Sequence, residues 1–255
     1  MRLGQNFLRD PNLLDAIVRD AGLEPGECVL EVGVGEGPLT ERLAEVAGTV
    51  HAIEIDRSLE PGLARIASLP GVEIVFGDAL DVDLAGLEPP PTAMVSNLPY
   101  SVAVPVILRT VAELPTLRRW AVMVQREIAD RLIAGPGSRT YGAPSAILQR
   151  SAEVRLARKV GREVFSPRPR VDSAVITIER TGPAASPEYL ALVRAAFGHR
   201  RKTMARSVET ARPGSLAVVR AALAAEGLDE AVRAEDVSPE DFGRLADRIG
   251  PLPGE

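Results

Sequence analysis

Cys28-Val29-Leu30-Glu31-Val32-Gly33-Val34-Gly35-Glu36-Gly37-Pro38-Leu39-Thr40 is the stretch that decides the fold. Residues 28–32 form a short apolar run of the kind that makes a buried strand, and Pro38 opens a helix-patterned segment reaching residue 46. Between them lie three glycines in Gly-x-Gly-x-Gly spacing, which let the backbone turn tightly and approach a ligand closely. Strand, glycine turn and helix in that order form the nucleotide-binding entry of a doubly wound α/β fold. The spacing is tighter than the Gly-x-Gly-x-x-Gly of dinucleotide enzymes. Taken alone, it suits a packing turn as well as a binding loop.

The next three strands supply what the glycines lack. Residues 50–55 read as a strand carrying Glu54 about 20 residues beyond the glycine turn, where an acidic side chain can accept from ribose hydroxyls. Residues 72–76 read as a third strand, followed by Gly77-Asp78-Ala79. Asp78 can accept from an adenine amino group or close an Asx-turn. A fourth apolar run, 92–95, leads into Ser96-Asn97-Leu98-Pro99-Tyr100, and 102–111 has helical character. Asn97 offers a side-chain carbonyl, Leu98 a main-chain carbonyl before Pro99, and Tyr100 a ring face. Such a turn can grip a planar amine by hydrogen bonds and stacking, and an adenine exocyclic amine fits. The plain alternative is that Asn97 caps a helix and Tyr100 packs. Gly33, Glu54, Asp78 and Asn97 each follow a successive strand, so they are expected along one edge of one sheet.

The rest of the chain fills in around this core. Asp10-Pro11 opens a helix that Gly22 ends, and Gly4-Gln5-Asn6-Phe7-Leu8 before it is too short to classify. A strand at 120–125 and a helix at 126–133 precede the Gly- and Pro-rich loop 135–142, read as a flap or a connector. A helix at 143–149, a strand at 154–160, the loop 165–173 with Arg168 and Arg170, and a strand at 174–178 follow. Residues 181–187 read as a linker, and helices are expected at 188–197, 201–208, 215–226 and 239–249. The domain reading is therefore 1–183 for the α/β domain and 184–255 for a helical accessory domain.

Charge and composition narrow the class. The 255-residue chain carries a net charge of −5, but residues 1–117 sum to −11, residues 118–212 to +11 and residues 213–255 to −5. A basic middle block on an acidic protein suits a phosphate-bearing partner. His199-Arg200-Arg201-Lys202-Thr203, placed at the start of a helix, is read as a phosphate clamp, with a solvated helix face as the alternative. The one cysteine, Cys28, excludes an internal disulfide and suits a buried position in a reducing cytosol. With two distant histidines, His51 and His199, no metal site is expected, and no apolar run is long enough for a membrane span. Nothing in the sequence suggests an obligate dimer, so a cytoplasmic monomer is expected.

The ordered series Gly-Gln-Asn-Phe-Leu, Glu-Val-Gly-x-Gly-x-Gly-x-Leu-Thr, Ile-Glu-Ile-Asp, Gly-Asp-Ala, Asn-Leu-Pro-Tyr, Phe-Ser-Pro-x-Pro-x-Val-Asp-Ser-Ala-Val and Arg-Arg-Lys-Thr resembles the ribosomal RNA adenine N6,N6-dimethyltransferases from residue 4 to about residue 245. Within them it is most similar to the bacterial small-subunit type linked to kasugamycin sensitivity. The resemblance implies a class I methyltransferase, with a Rossmann-like, mostly parallel sheet flanked by helices and a small all-α C-terminal domain. It implies S-adenosylmethionine as cofactor and dimethylation of two adjacent adenosines near the 3′ end of 16S rRNA, with the rRNA or a pre-30S particle as partner. Asn6, Leu8, Gly33, Gly35, Glu54, Asp78, Ala79 and Asn97 match the family's cofactor contacts. Asn97, Leu98, Pro99 and Tyr100 match its target-amine turn, Phe165 an aromatic near the extruded base, and Arg168, Arg170, Arg200, Arg201 and Lys202 fall where RNA contacts are expected. The chain departs from the pattern at Val34, Ser101, Ala143-Pro144 and Ala205-Arg206, departures that bear on the RNA surface. The competing readings are a large-subunit 23S rRNA methyltransferase of the macrolide-resistance type, a nicotinamide-dependent dehydrogenase, and a non-catalytic ribosome assembly factor on the same fold.

Overall fold

The computed structural model describes residues 7–253. The chain divides into two units, Met1–Ala129 with Glu153–Arg180, and Asp130–Ala152 with Thr181–Glu255. The first contains, in chain order, β1 (Phe7–Leu8), α1 (Pro11–Ala21), β2 (Cys28–Val32), α2 (Pro38–Ala44), β3 (Thr49–Glu54), α3 (Glu60–Ala67), β4 (Val72–Phe76), β5 (Ala93–Asn97), α4 (Ala103–Glu113) and β6 (Arg119–Gln125). The chain then passes through α5 (Arg126–Ile133) and α6 (Ala143–Gln149) before returning with β7 (Ala152–Val160), β8 (Phe165–Ser166) and β9 (Ser173–Arg180). Helices α7 (Pro187–Phe197), α8 (Met204–Ala211), α9 (Leu216–Ala225) and α10 (Pro239–Ile249) complete the second unit.

Seven strands form one sheet in the order β4-β3-β2-β5-β6-β9-β7. Strands β4, β3, β2, β5 and β6 run parallel, and β9 pairs antiparallel with β6 over its whole length. Strands β2, β3 and β5 are buried on both faces, as helix-covered strands must be, while the edge strand β4 is partly exposed. Their core joins Val29, Val50, Ala52 and Val95 to Ile17 of α1, Leu39 and Leu43 of α2, and Leu63 and Ile66 of α3. Helix starts follow local chemistry: Asp10 accepts from the N–H groups of Asn12 and Leu13 ahead of Pro11, and Ser186 and Ser238 do the same work before Pro187 and Pro239. Gly22 ends α1 in the left-handed region at φ 57°.

Three features depart from the sequence reading. Helix α3 lies where the pattern gave no element, because Leu63 and Ile66 are only a one-sided anchor in a short segment. The Arg200–Lys202 stretch precedes α8 rather than beginning it. The Lys202 N–H closes a turn on the His199 carbonyl, Thr203 is extended, and the first helical N–H, that of Met204, is taken by the Val232 carbonyl. Residues 130–152 group with the C-terminal helices, so the second unit is not the single C-terminal piece that a boundary at residues 183 and 184 describes. The reason is Tyr141, fully buried with its hydroxyl donating to the Val237 carbonyl at 3.1 Å and its ring edge-on to Phe197. The Tyr189 hydroxyl reaches back to the Ala146 carbonyl at 2.8 Å. The 135–142 loop is thereby tied down rather than left as a free flap.

Two polar side chains stand out in the first unit. Arg109 of α4 donates to the carbonyls of Ala79 and Val82, at 2.7 and 2.9 Å, and to Glu113, so it fastens the loop after β4. Glu31, at the end of β2, is 1% exposed and its Oε2 has no hydrogen-bond partner. Burial, reinforced by the charge of Glu54 and opposed by the nearby Thr40 hydroxyl, pushes its pKa up to about 8 from 4.5.

A carboxyl whose pKa is raised on folding stabilises the native state least when it must ionise. Stability should therefore fall as pH rises from about 4.5 through about 8. We expect Glu31→Gln to flatten that slope and to raise stability at pH 8 by roughly 1–3 kcal/mol, read from denaturant melts across pH. Arg109→Ala should cost about 1–3 kcal/mol in the same melts, since it strips two carbonyls and a carboxylate of a charged donor.

Candidate active site

The carboxyl ends of β2, β3, β4 and β5 open into a cavity of about 460 Å³ lined by residues of the first unit alone. It lies at the point where the strand order turns outward in both directions, with β3 and β4 on one side of β2 and β5 and β6 on the other. Open α/β sheets bind ligands at such points. Strands β2 and β5 pair only at Val29–Ala93 and Leu30–Met94. Beyond that the Ser96 Oγ accepts from the Val32 N–H at 2.9 Å, a side chain standing where a strand carbonyl would otherwise be. Backbone pairing of the two strands ends there, and the turns that follow them form the floor of the cavity.

The glycine turn and the Asn97–Tyr100 turn touch across this floor. Gly33 has φ 86°, its N–H donates to the Ile53 carbonyl at 2.8 Å, and a Cβ on it would lie 3.1 Å from Pro99 Cδ. Glycine is required there both by the backbone conformation and by the approach of Pro99. Gly35, at φ 58°, donates its N–H to Glu54 Oε2 at 2.8 Å, and a Cβ there would press on Phe7. Glu54 is 4% exposed, and its Oε1 accepts from the Asp56 N–H at 2.9 Å. Each carboxylate oxygen keeps a lone pair for a further donor. Asp78 closes an Asx-turn on the Leu80 N–H at 2.9 Å through Oδ1, so the structural reading of that residue holds, and its side chain also lines the cavity. Ile55, half exposed, adds an apolar wall between Glu54 and Asp78.

Asn97 is the last residue of β5, in register with Met123 of β6. The Leu98 N–H donates to the Met123 carbonyl at 3.1 Å, and the Val102 N–H to the Pro99 carbonyl at 3.1 Å. Leu98 is buried, and Asn97, Leu98, Pro99 and Tyr100 all line the cavity. The Tyr100 hydroxyl lies 2.7 Å from Ser173 Oγ, and burial raises its pKa against the opposing effect of that bond. Among the described residues no cluster of side chains suits a metal ion. What faces the cavity is a set of acceptors, the buried Glu31 and Glu54 and the partly exposed Asp78 and Asn97, next to an apolar wall. A ligand that brings hydroxyls, an amino-bearing base and a positive charge matches that donor-poor lining.

The sequence-expected site residues do not all gather here. Leu8, Gly33, Gly35, Glu54, Asp78, Ala79 and the four residues 97–100 line the cavity. Asn6 lies outside the described residues. Phe165 does not line the cavity as an open aromatic face: it pairs with Leu8 in the β1–β8 ribbon and is buried in the core at 5% exposure. Arg168 and Arg170 are exposed on the loop between β8 and β9. In the helical unit Arg201 is exposed. Arg200, by contrast, donates to the carbonyls of Arg139 and Tyr141, at 3.0 and 3.3 Å, and lies 3.8 Å from Glu235. Lys202 donates to Thr210 Oγ1 at 2.8 Å. Two of the three cations read as a phosphate clamp, Arg200 and Lys202, thus also make bonds within their own unit while staying exposed. Ser96, Arg109 and Ser173 escaped the sequence reading because their partners are 64, 27–30 and 73 residues away.

Comparison with known proteins agrees with this geometry. A family model described as ribosomal RNA adenine dimethylase matches residues 1–250. The chain is 46% identical to the ribosomal RNA small subunit methyltransferase A of Streptomyces avermitilis, covering 97% of this chain and 87% of that one. It is 44% identical to the protein of the same name from Rubrobacter xylanophilus, covering 98% and 95%. Among solved structures, the 23S rRNA methyltransferase ErmE superposes with a TM-score of 0.67 at 29% identity over 96% of this chain and 100% of that one. A dimethyladenosine transferase from Plasmodium falciparum shares the fold with a TM-score of 0.77 at 22% identity, covering 94% and 95%. A switch-point cavity flanked by Gly33 and Asn97–Tyr100, together with a family match over nearly every residue, places this chain in the ribosomal RNA adenine dimethylase family.

Proposed function

We propose that this enzyme uses S-adenosylmethionine to dimethylate N6 of two adjacent adenosines near the 3′ end of small-subunit rRNA. The observation that carries the site assignment is the contact between Gly33 and Pro99, which sets the glycine turn and the aromatic turn on one cavity. The small-subunit substrate is supported by relatives of that name at 44–46% identity over almost the whole chain. The large-subunit alternative has weaker support, since the similar 23S enzyme is 29% identical. A dehydrogenase is disfavoured by the family match and by the Asn-Leu-Pro-Tyr turn.

In this reading Glu54 accepts from the cofactor ribose, Asp78 and the wall of Ile55 meet its adenine, and the Gly33–Gly35 turn lets its amino-acid portion pass close to the backbone. S-adenosylmethionine, when bound, supplies an electrophilic methyl group. The target adenine must leave its stack to reach the cavity, at a cost of about a few kcal/mol. Tyr100 offers the face on which it restacks, and Asn97 and the Leu98 carbonyl accept from its amine. Holding both N–H groups in one plane leaves nitrogen electron density directed out of that plane, toward the methyl donor. The side chains contribute position rather than proton transfer, and the surplus proton leaves to water. Exposed Arg168, Arg170 and Arg201 suit phosphate contacts, which steer RNA without reading its bases.

We expect Asn97→Ala to lower kcat for methyl transfer by about 100-fold or more while changing cofactor affinity by less than about tenfold. Radiolabelled transfer to under-methylated small subunits, with the modified base mapped, measures the first, and a cofactor titration measures the second. Normal turnover in this variant would remove Asn97 from the mechanism, and label found in the large subunit instead would overturn the substrate.

A further inference from the structure

The Tyr100 side chain is fixed at both ends, and one of the two fixings comes from far along the chain. Its backbone is held through the turn, where the Leu98 N–H rests on the Met123 carbonyl of β6. At the other end its hydroxyl meets Ser173 Oγ at 2.7 Å. Ser173 is the first residue of β9, 1% exposed, opposite Gln125 in an antiparallel register that continues to Glu179. The neighbouring Asp172 carbonyl accepts from the Arg126 N–H at 2.9 Å. Both fixings of Tyr100 therefore lead to the same strand, β6, by way of β5 and β9.

We propose that Ser173 is a positioning residue for methyl transfer, whose hydroxyl sets the plane of the Tyr100 ring before RNA arrives. The proposal rests on the reading above that Tyr100 is the stacking surface for the target adenine. A half-exposed tyrosine with a free hydroxyl samples several ring placements, and ordering it during binding would lower the fraction of encounters in reactive geometry. A serine hydroxyl both donates and accepts, so it can hold a phenol without any charge in the cavity. Ser173 also ends the loop that carries Arg168 and Arg170, so the ring and that basic loop share one anchor.

The test uses the full chain as Ser173→Ala, Ser173→Thr, Tyr100→Phe and the double variant Ser173→Ala/Tyr100→Phe. Methyl transfer to under-methylated small subunits and the 13Cζ signals of labelled tyrosine in the free protein are both followed. With three tyrosines in the chain, the Tyr100 signal is the one lost in Tyr100→Phe. Ser173→Ala should lower kcat roughly fivefold to fiftyfold with the cofactor KM within about twofold, and Ser173→Thr should recover most of the loss. The double variant should be no worse than either single one, and the Tyr100 13Cζ signal should move in Ser173→Ala but scarcely in Ser173→Thr. Unchanged turnover in Ser173→Ala, additive losses in the double variant, or an unmoved 13Cζ signal would each overturn the proposal. If Ser173→Ala fails to fold, Tyr100→Phe removes the same bond from the exposed side and carries the kinetic test. A wild-type protein that methylates no subunit would instead overturn the function on which this rests, while the 13Cζ shift still decides whether Ser173 holds the ring.

Discussion

Strands β2 and β5 are paired for two residues and then part, and the site exists because they part. A parallel pair that stays in register carries its hydrogen bonds to the strand ends and leaves no cleft between the following turns. Here the Val32 N–H is satisfied by the hydroxyl of Ser96, so the backbone can diverge without leaving a buried donor unpaired. The two turns that follow meet at Gly33 and Pro99, and both line the cavity over the strand ends. A side chain on residue 33 would fill the point of contact and would have to adopt a left-handed backbone besides.

The lining of that cavity is costly to the folded chain. Glu31, Glu54 and Asp78 put three carboxyls around one space, and Glu31 is driven toward its neutral form by burial. Two of the three are partly compensated by backbone N–H groups, from Gly35 and Asp56 for Glu54 and from Leu80 for Asp78. The uncompensated remainder is what a cationic, hydroxyl-bearing ligand can relieve, which is how binding energy and local instability come to occupy the same residues. Arg109 stands outside the cavity and works on its shape, holding the loop after β4 by two carbonyls.

How far the sequence discloses this depends on the range of each interaction. Glycine spacing, strand periodicity and the residues just past each strand are local, and they led directly to β2 through β5 and to Gly33, Glu54, Asp78 and Asn97. Interactions between residues distant in the chain were opaque. Nothing near Ser96, Arg109 or Ser173 marks their partners, and nothing near Tyr141 shows that it packs with helices beginning more than 40 residues later. The arginine-rich segment was legible only in part. Its charge was legible, but the acceptors that occupy Arg200, carbonyls of residues 139 and 141, belong to another part of the chain. Phe165 is a similar case, an aromatic whose burial follows from a two-residue ribbon with Leu8 that no periodicity could reveal.

The burial of Tyr141 with the last helices also bears on how the protein can be made. Residues 130–152 leave the ribosome before β7, β8 and β9, yet their packing partners are the final segments of the chain. This stretch must therefore wait, with an aromatic side chain uncovered, until synthesis is nearly finished. A nascent chain halted near residue 183 would have all its sheet strands but a loop with nothing to pack against, so neither unit can be cut out as a contiguous fragment.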